Sequence, residues 1–208
     1  MGRTLWQKLK GEMGAREFDP TADLAACRAM AEEFEAYLKS DVLYWQMDTA
    51  QPGGSQLPKL TVGGFLERAR RLQAASLSPE QRTVLDGATR RFELARDAHR
   101  SRYMTRALHD LRGRMDAWAW YLDDYAKRPN GEAPYYPAQA HTRLAIALLL
   151  DELAGSPGVV ELEHRLAALD KQLSADWIDG SFVWHPALAH AFPRERFWWL
   201  YGRPKQPE

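Results

Sequence analysis

Apolar residues recur at intervals of three and four positions along most of the chain, which is the spacing of one helix face. The first such stripe follows Asp19-Pro20 and runs from Leu24 to Leu38. It covers about five helical turns. Glutamates at 32, 33 and 35 lie on the opposite side. The pattern predicts an amphipathic helix that buries the stripe and exposes the glutamates.

The longest helical segment begins at Ser78-Pro79-Glu80-Gln81, in which the serine and the glutamine match a helix-capping box. Two apolar stripes follow, one from Leu85 to Ala95 and one from Met104 to Tyr125, and their registers do not join. A straight helix would be about 72 Å long, while a compact chain of this size is about 45 Å across. We therefore expect one long, bent helix over residues 79–128, with the bend between His99 and Arg106.

Two further helices are predicted in the second half of the chain. Residues 144–150 are apolar on nearly every side, which is typical of a helix at the centre of a bundle. A regular seam of apolar residues then runs from Val159 to Trp177. The expected core residues of these two helices are Leu144, Leu148, Leu166 and Leu173.

Two stretches interrupt the helical pattern. Residues 49–60 hold two prolines and two glycines and predict an internal linker loop. Residues 181–208 are rich in aromatic residues and prolines, and predict an irregular segment packed on the bundle. No run alternates apolar and polar residues for long enough to predict a strand. The expected fold is therefore all-α: a single helical domain over residues 1–208, built as a bundle of five or six helices.

The charges are balanced in total but unevenly distributed. The chain has 28 basic and 28 acidic side chains, yet residues 59–114 carry thirteen basic residues against six acidic ones. An arginine-rich surface of this kind could bind nucleic acid, and the candidate residues are Arg90, Arg91, Arg100, Arg102 and Arg106. The alternative is that basic and acidic helices neutralise each other as neighbours, and the scatter of the arginines around the helix favours that alternative.

The aromatic C-terminal segment offers a second candidate site. Its tryptophans and tyrosines, with residues of the 129–141 turn, could line a pocket for a small molecule. The candidate residues are Tyr135, Tyr136, His141, Trp184, His185, Trp198, Trp199 and Tyr201. The alternative is that these rings only cover one end of the core, and it is the favoured interpretation.

Motifs of the common catalytic classes are missing from the sequence. There is no Gly-x-Ser-x-Gly elbow and no glycine-rich phosphate loop. Glu161 and His164 have the spacing of a di-iron element, but they lie off the apolar seam and have no second copy. The single cysteine, Cys27, falls on the apolar stripe and is expected to be an inert core thiol. We therefore expect no catalytic residue, no metal and no cofactor.

These observations favour a non-catalytic interaction or assembly protein over an enzyme. The expected partner is a protein, either a second copy or another chain, with nucleic acid as the alternative and no membrane. One cysteine, no apolar leader segment and no apolar run longer than residues 144–150 favour a cytoplasmic location. A small-molecule binder or enzyme with a pocket at the aromatic end is the remaining alternative.

Overall fold

The computed structural model describes residues 20–42, 44–47 and 57–206. Across these ranges the protein is all-α, as predicted, apart from one small sheet. The helices of this part are α1 (Thr21–Lys39), α2 (Val62–Ala74), α3 (Pro79–Ala98), α4 (Arg100–Lys127), α5 (Pro129–Glu132), α6 (Tyr136–Glu152) and α7 (Val159–Ala175). Six of them have thirteen residues or more, and α5 has four. Residues 1–19 and most of the predicted 49–60 linker lie outside the described residues.

The long segment after Pro79 divides into two helices, which confirms the predicted bend. His99 ends α3 and begins α4, with φ −124° and ψ 39°, outside the helical region. After the break the two apolar stripes pack into one core. The rings of Phe92 and Tyr103, one from each helix, meet edge to face with their centroids 5.9 Å apart.

The predicted capping box is present as well. Ser78 Oγ accepts a hydrogen bond from the Gln81 amide at 3.2 Å, and the Gln81 side chain accepts one from the Ser78 amide at 2.9 Å.

The short helix α2 lies among the long ones. It packs against α1, α4 and α6, while α1 also lies along α3. Phe65 of α2 stacks on Phe92 of α3 with ring centroids 4.1 Å apart, and Phe34 of α1 packs 4.3 Å from the same ring. The polar groups of α2 are therefore held close to three other helices.

The core residues expected from the apolar seams are largely confirmed. Leu144, Leu166 and Leu173 are buried, while Leu148 is half-buried against the core. In α6 the buried face also includes Ala145, Ile146 and Leu149. No helix in the described part of the chain is both long enough and apolar enough to cross a membrane.

The C-terminal segment contains a two-stranded antiparallel sheet, so the expectation of no strand was wrong. Strand β1 (Trp177–Phe182) pairs with β2 (Tyr201–Pro204), with Trp177 opposite Pro204 and an irregularity between Asp179 and Phe182. Gly202 has φ +153°, and a Cβ there would lie 2.3 Å from the Ile178 carbonyl oxygen. The pairing therefore depends on a glycine and on a partner some twenty residues away, neither of which appears in a local alternation pattern.

Three 3₁₀ segments occur in the described part of the chain. Ala133–Tyr135 lies between α5 and α6, while Pro186–Ala191 and Trp198–Leu200 lie between β1 and β2. Several large residues of the C-terminal segment are buried, among them Phe192, Phe197, Trp199 and Leu200.

Candidate functional site

A cavity of about 450 Å³ opens where α2, α4 and α6 meet the segment that precedes α2. Among the described residues that line it, four are arginine or lysine and only one is a carboxylate. The lining residues are Tyr44, Pro58, Lys59, Thr61, Gly64, Glu67, Arg68, Arg71, Arg114, His141 and Thr142. The four cations all come from the arginine-rich segment 59–114 that the sequence singles out.

The first turn of α2 forms one wall of this cavity. Thr61 is the N-cap, and its Oγ1 accepts a hydrogen bond from the Gly64 amide at 3.0 Å. The Gly63 amide donates to Asp110 Oδ2 at 2.7 Å. Arg114 bridges the same two groups, donating from Nε to Asp110 at 2.9 Å and from NH2 to Thr61 Oγ1 at 3.0 Å. The N-terminus of α2 and the Arg114 guanidinium are thus fixed to each other.

Gly63 makes this arrangement possible. A Cβ at that position would lie 2.8 Å from Leu149 Cδ1 of α6 and 2.9 Å from Arg114 Nε of α4. The helix begins at Val62 and both glycines are buried, so close backbone packing accounts for the two glycines in its first turn.

Glu67 forms the floor of the cavity and is almost fully buried. Its Oε1 lies 2.6 Å from His141 Nδ1 and 2.7 Å from Arg71 Nε. Burial on its own raises the pKa of Glu67, but the hydrogen bond from His141 and the charges of Arg71 and Arg68 outweigh it, so the pKa lies below its ordinary value. Glu67 is therefore a carboxylate at neutral pH.

Asp23 of α1 completes the ion-pair network behind the cavity. It lies 3.0 Å from Arg71 NH2 and 3.7 Å from Arg68 Nε. Burial raises the pKa of Asp23, and the neighbouring charge of Arg71 opposes the rise without cancelling it. Two carboxylates and two guanidiniums are thus gathered beside the imidazole.

His141 presents one edge to the cavity. Its ring stacks on Trp184 at a centroid distance of 4.3 Å and an interplanar angle of 17°. Trp184 is itself held by a hydrogen bond from its Nε1 to the Pro137 carbonyl oxygen at 3.0 Å. The His141 side chain is 35% exposed, and within the described part of the chain its Nε2 makes no hydrogen bond.

The positive charge of the cavity is not fully neutralised. Lys59 is exposed, lies 5.9 Å from the Tyr44 ring and has no carboxylate partner among the described residues. To the described residues, Arg68 donates one side-chain hydrogen bond, from NH1 to the Gly64 carbonyl oxygen at 2.9 Å. Guanidinium and ammonium groups with free N–H donors are the groups that bind carboxylate and phosphate oxygens in proteins. The arrangement is suited to a small anion.

Of the eight residues predicted for an aromatic pocket, only His141 lines this cavity. Trp184 lies against His141, while Tyr136 and Trp199 are buried and meet through a hydrogen bond from the Tyr136 hydroxyl to the Trp199 carbonyl oxygen. The other four lie elsewhere in the fold: Tyr135 is exposed, Trp198 packs on Trp177, His185 accepts from the Ala187 amide, and Tyr201 donates to the Phe192 carbonyl oxygen.

The five arginines predicted for nucleic acid divide into two groups. Arg90, Arg91 and Arg100 are exposed. Arg102 donates to the Lys39 carbonyl oxygen at 2.6 Å, and Arg106 donates to that of Ser40. Arg102 and Arg106 therefore donate to carbonyl groups at the C-terminal end of α1, where helix carbonyls lack backbone partners.

The sequence did not single out Glu67, Arg68, Arg71 or Arg114 as a site. The sequence feature that could have indicated the site is the Gly63-Gly64 pair. Two adjacent glycines in the first turn of a helix indicate a close backbone contact there.

Among the described residues, no group of three or more His, Cys, Asp and Glu side chains is placed to hold a metal ion. Comparison with models of known families, with curated proteins and with solved structures found no match for the chain.

Proposed function

We propose that this protein binds a small oxyanion, a phosphate- or carboxylate-bearing molecule, in the cavity between α2, α4 and α6. The observation that carries the proposal is the excess of fixed positive charge on the cavity wall. Lys59, Arg68, Arg71 and Arg114 face a space in which Glu67 is the only carboxylate among the described lining residues. With Asp23 and Asp110 counted behind the wall, the described groups of the site still carry one net positive charge when His141 is neutral.

The dimensions of the cavity support a small molecule as the ligand. Its volume of about 450 Å³ falls within the roughly 300–1,000 Å³ typical of small-molecule sites. The guanidinium of Arg114 is held in place by Asp110 and Thr61 before any ligand arrives. A preorganised donor loses little conformational freedom on binding, which favours affinity.

Lys59 offers a direct test, because its side chain supports binding without supporting the fold. It is exposed and forms no ion pair among the described residues. We expect Lys59→Gln to raise the Kd for sulfate about tenfold, the effect of one lost charge-assisted contact. Isothermal titration calorimetry with sulfate, at pH 6 and constant ionic strength, measures the change in Kd. Arg90→Gln removes an exposed arginine outside the cavity and is the matched control.

Two results would contradict the proposal. One is a wild-type protein that shows no saturable sulfate binding under these conditions. The other is an equal loss of affinity in Lys59→Gln and Arg90→Gln, which would mean that sulfate responds only to the overall charge of the protein.

Other expectations from the sequence stay predictions. They are a protein partner, either a second copy or another chain, a cytoplasmic location, and nucleic acid as an alternative partner. Arg102 and Arg106 contact the end of α1, which supports the interpretation that part of the basic segment has a structural role.

A further inference from the structure

The surroundings of His141 are strongly charged and come from several elements. The groups that face it are Glu67, Arg68 and Arg71 of α2, Asp23 of α1, and the ring of Trp184 in the C-terminal segment. Lys59 and Arg114 line the same cavity. The imidazole thus lies against a buried carboxylate and borders an arginine-lined space.

The buried carboxylate determines which ring nitrogen carries the hydrogen. Because Glu67 is ionised, it can only accept, so His141 Nδ1 must donate across the 2.6 Å contact. In the neutral imidazole the other nitrogen, Nε2, then carries a lone pair. Nε2 makes no hydrogen bond within the described part of the chain, and the side chain borders the cavity.

A lone pair bordering an anion site is unfavourable once the anion is present, because both groups are acceptors. Protonation of Nε2 removes the conflict and creates a charge-assisted donor. The second positive charge is tolerated because Glu67 and Asp23 lie close by. The stacked Trp184 ring keeps the imidazole in the orientation that this contact requires.

We propose that His141 takes up one proton at Nε2 when an oxyanion enters the cavity, so that anion binding and protonation are coupled. The proton comes from solvent, no bond of the ligand is broken, and Nε2–H donates to a ligand oxygen. The inference rests on the proposed anion-binding function and adds to it that binding strengthens as the pH falls. Glu67 is a positioning residue, because its contact with Nδ1 fixes the tautomer and the orientation of His141.

Sulfate is a suitable probe because it remains fully ionised across the range from pH 6 to pH 8.5, so any proton taken up belongs to the protein. Titration calorimetry in two buffers with different heats of ionisation gives the number of protons bound per sulfate. We expect close to one proton where the imidazole is neutral. In that pH range, the Kd for sulfate should increase about tenfold for each unit by which the pH increases.

The variant that isolates the proton is His141→Gln, since a glutamine amide can still donate to Glu67 but does not titrate. We expect weaker sulfate binding, no proton uptake and a flat pH profile. His164→Gln is the matched control, because His164 is exposed on α7 and makes no contact with the cavity. Circular dichroism of each variant checks the fold, and the proton count in the wild-type protein needs no variant at all.

The outcomes separate this inference from the proposed function. Sulfate binding without proton uptake, or a pH profile that His141→Gln leaves unchanged, overturns the coupling and leaves anion binding in place. An absence of sulfate binding at pH 6 overturns both. Proton uptake that is lost in His141→Gln and kept in His164→Gln supports the coupling.

Discussion

The packing around the cavity depends on the absence of a Cβ atom at Gly63. An added Cβ would be under 3.0 Å from Leu149 and Arg114, so either the α2–α6 packing or the Arg114 position must change. We expect Gly63→Ala to destabilise the protein by about 1–3 kcal/mol through overpacking, despite the better helix propensity of alanine. Chemical denaturation measures the difference.

Gly87 is the matched control, since it lies within α3 and a Cβ there meets nothing within 4 Å. Gly87→Ala should stabilise the protein by about 0.5–1 kcal/mol. Equal effects of the two substitutions would mean that the α2–α6 contact is looser than described.

Glu67 is the second residue on which the site depends. Its pKa is depressed in the fold, so its ionised form stabilises the native state. This contribution is fully present above the ordinary value of 4.5 and is lost as the pH falls through the lower native value. We expect Glu67→Gln to cost about 3–5 kcal/mol at pH 7, because it leaves Arg71 and His141 without their buried partner.

Urea denaturation at a series of pH values checks the sign of this effect. The difference in unfolding free energy between the wild-type protein and Glu67→Gln should become smaller as the pH falls below the ordinary pKa range of a carboxyl group. Glu163→Gln, which changes an exposed glutamate of α7, serves as the control. A difference that grows in acid would contradict the ion-pair assignment.

At the scale of elements, α1 and α4 are joined through arginine contacts to the C-terminal carbonyls of α1. Arg102 donates to the Lys39 carbonyl oxygen, while Arg106 donates to that of Ser40 and lies 5.5 Å from the Tyr37 ring. We expect Arg102→Gln to destabilise the protein by about 1 kcal/mol in denaturant titration, since it removes a charged donor from a helix C-terminus. Arg90→Gln should change stability by less than about 0.5 kcal/mol, and an equal cost in both variants would argue against the contact.

Some elements could be predicted from the sequence because their signals are local. The capping box at Ser78 and the register change near His99 both lie within a few turns of the features they specify. Strand β1 could not be predicted in this way, because Trp177–Phe182 pairs with residues some twenty positions later and needs Gly202 opposite it.

The candidate site could not be predicted from the sequence for the same reason: its contacts join residues that are far apart in the chain. Glu67 has no local signal that distinguishes a buried carboxylate from an exposed one on an arginine-rich helix. Its role follows from His141, which is 74 residues away in the chain. The charge excess of residues 59–114 was visible in the sequence, but only tertiary packing shows which arginines face a common space.

For the whole molecule, the C-terminal segment contributes to the core as well as to the site. The Trp199 ring is buried and stacks 3.7 Å below the Arg143 guanidinium, which in turn makes two hydrogen bonds to Asp170 of α7. We expect Trp199→Ala to cost about 3–5 kcal/mol of unfolding free energy. Trp120 is 71% exposed, so Trp120→Ala should cost less than about 0.5 kcal/mol.

Thermal denaturation followed by circular dichroism distinguishes these two tryptophan variants without relying on the fluorescence that each one changes. A Trp199→Ala protein as stable as Trp120→Ala would contradict the assignment of the Trp199 ring to the core.

The most direct test of the account is to locate an anion in the protein. Selenate has the charge and shape of sulfate, and its selenium atom gives an anomalous signal in X-ray diffraction. In crystals grown with selenate near pH 6, we expect one anomalous peak in the cavity between Lys59, Arg68, Arg114 and His141. An empty cavity at a selenate concentration that saturates binding in solution, with the peak elsewhere on the surface, would contradict the proposed site.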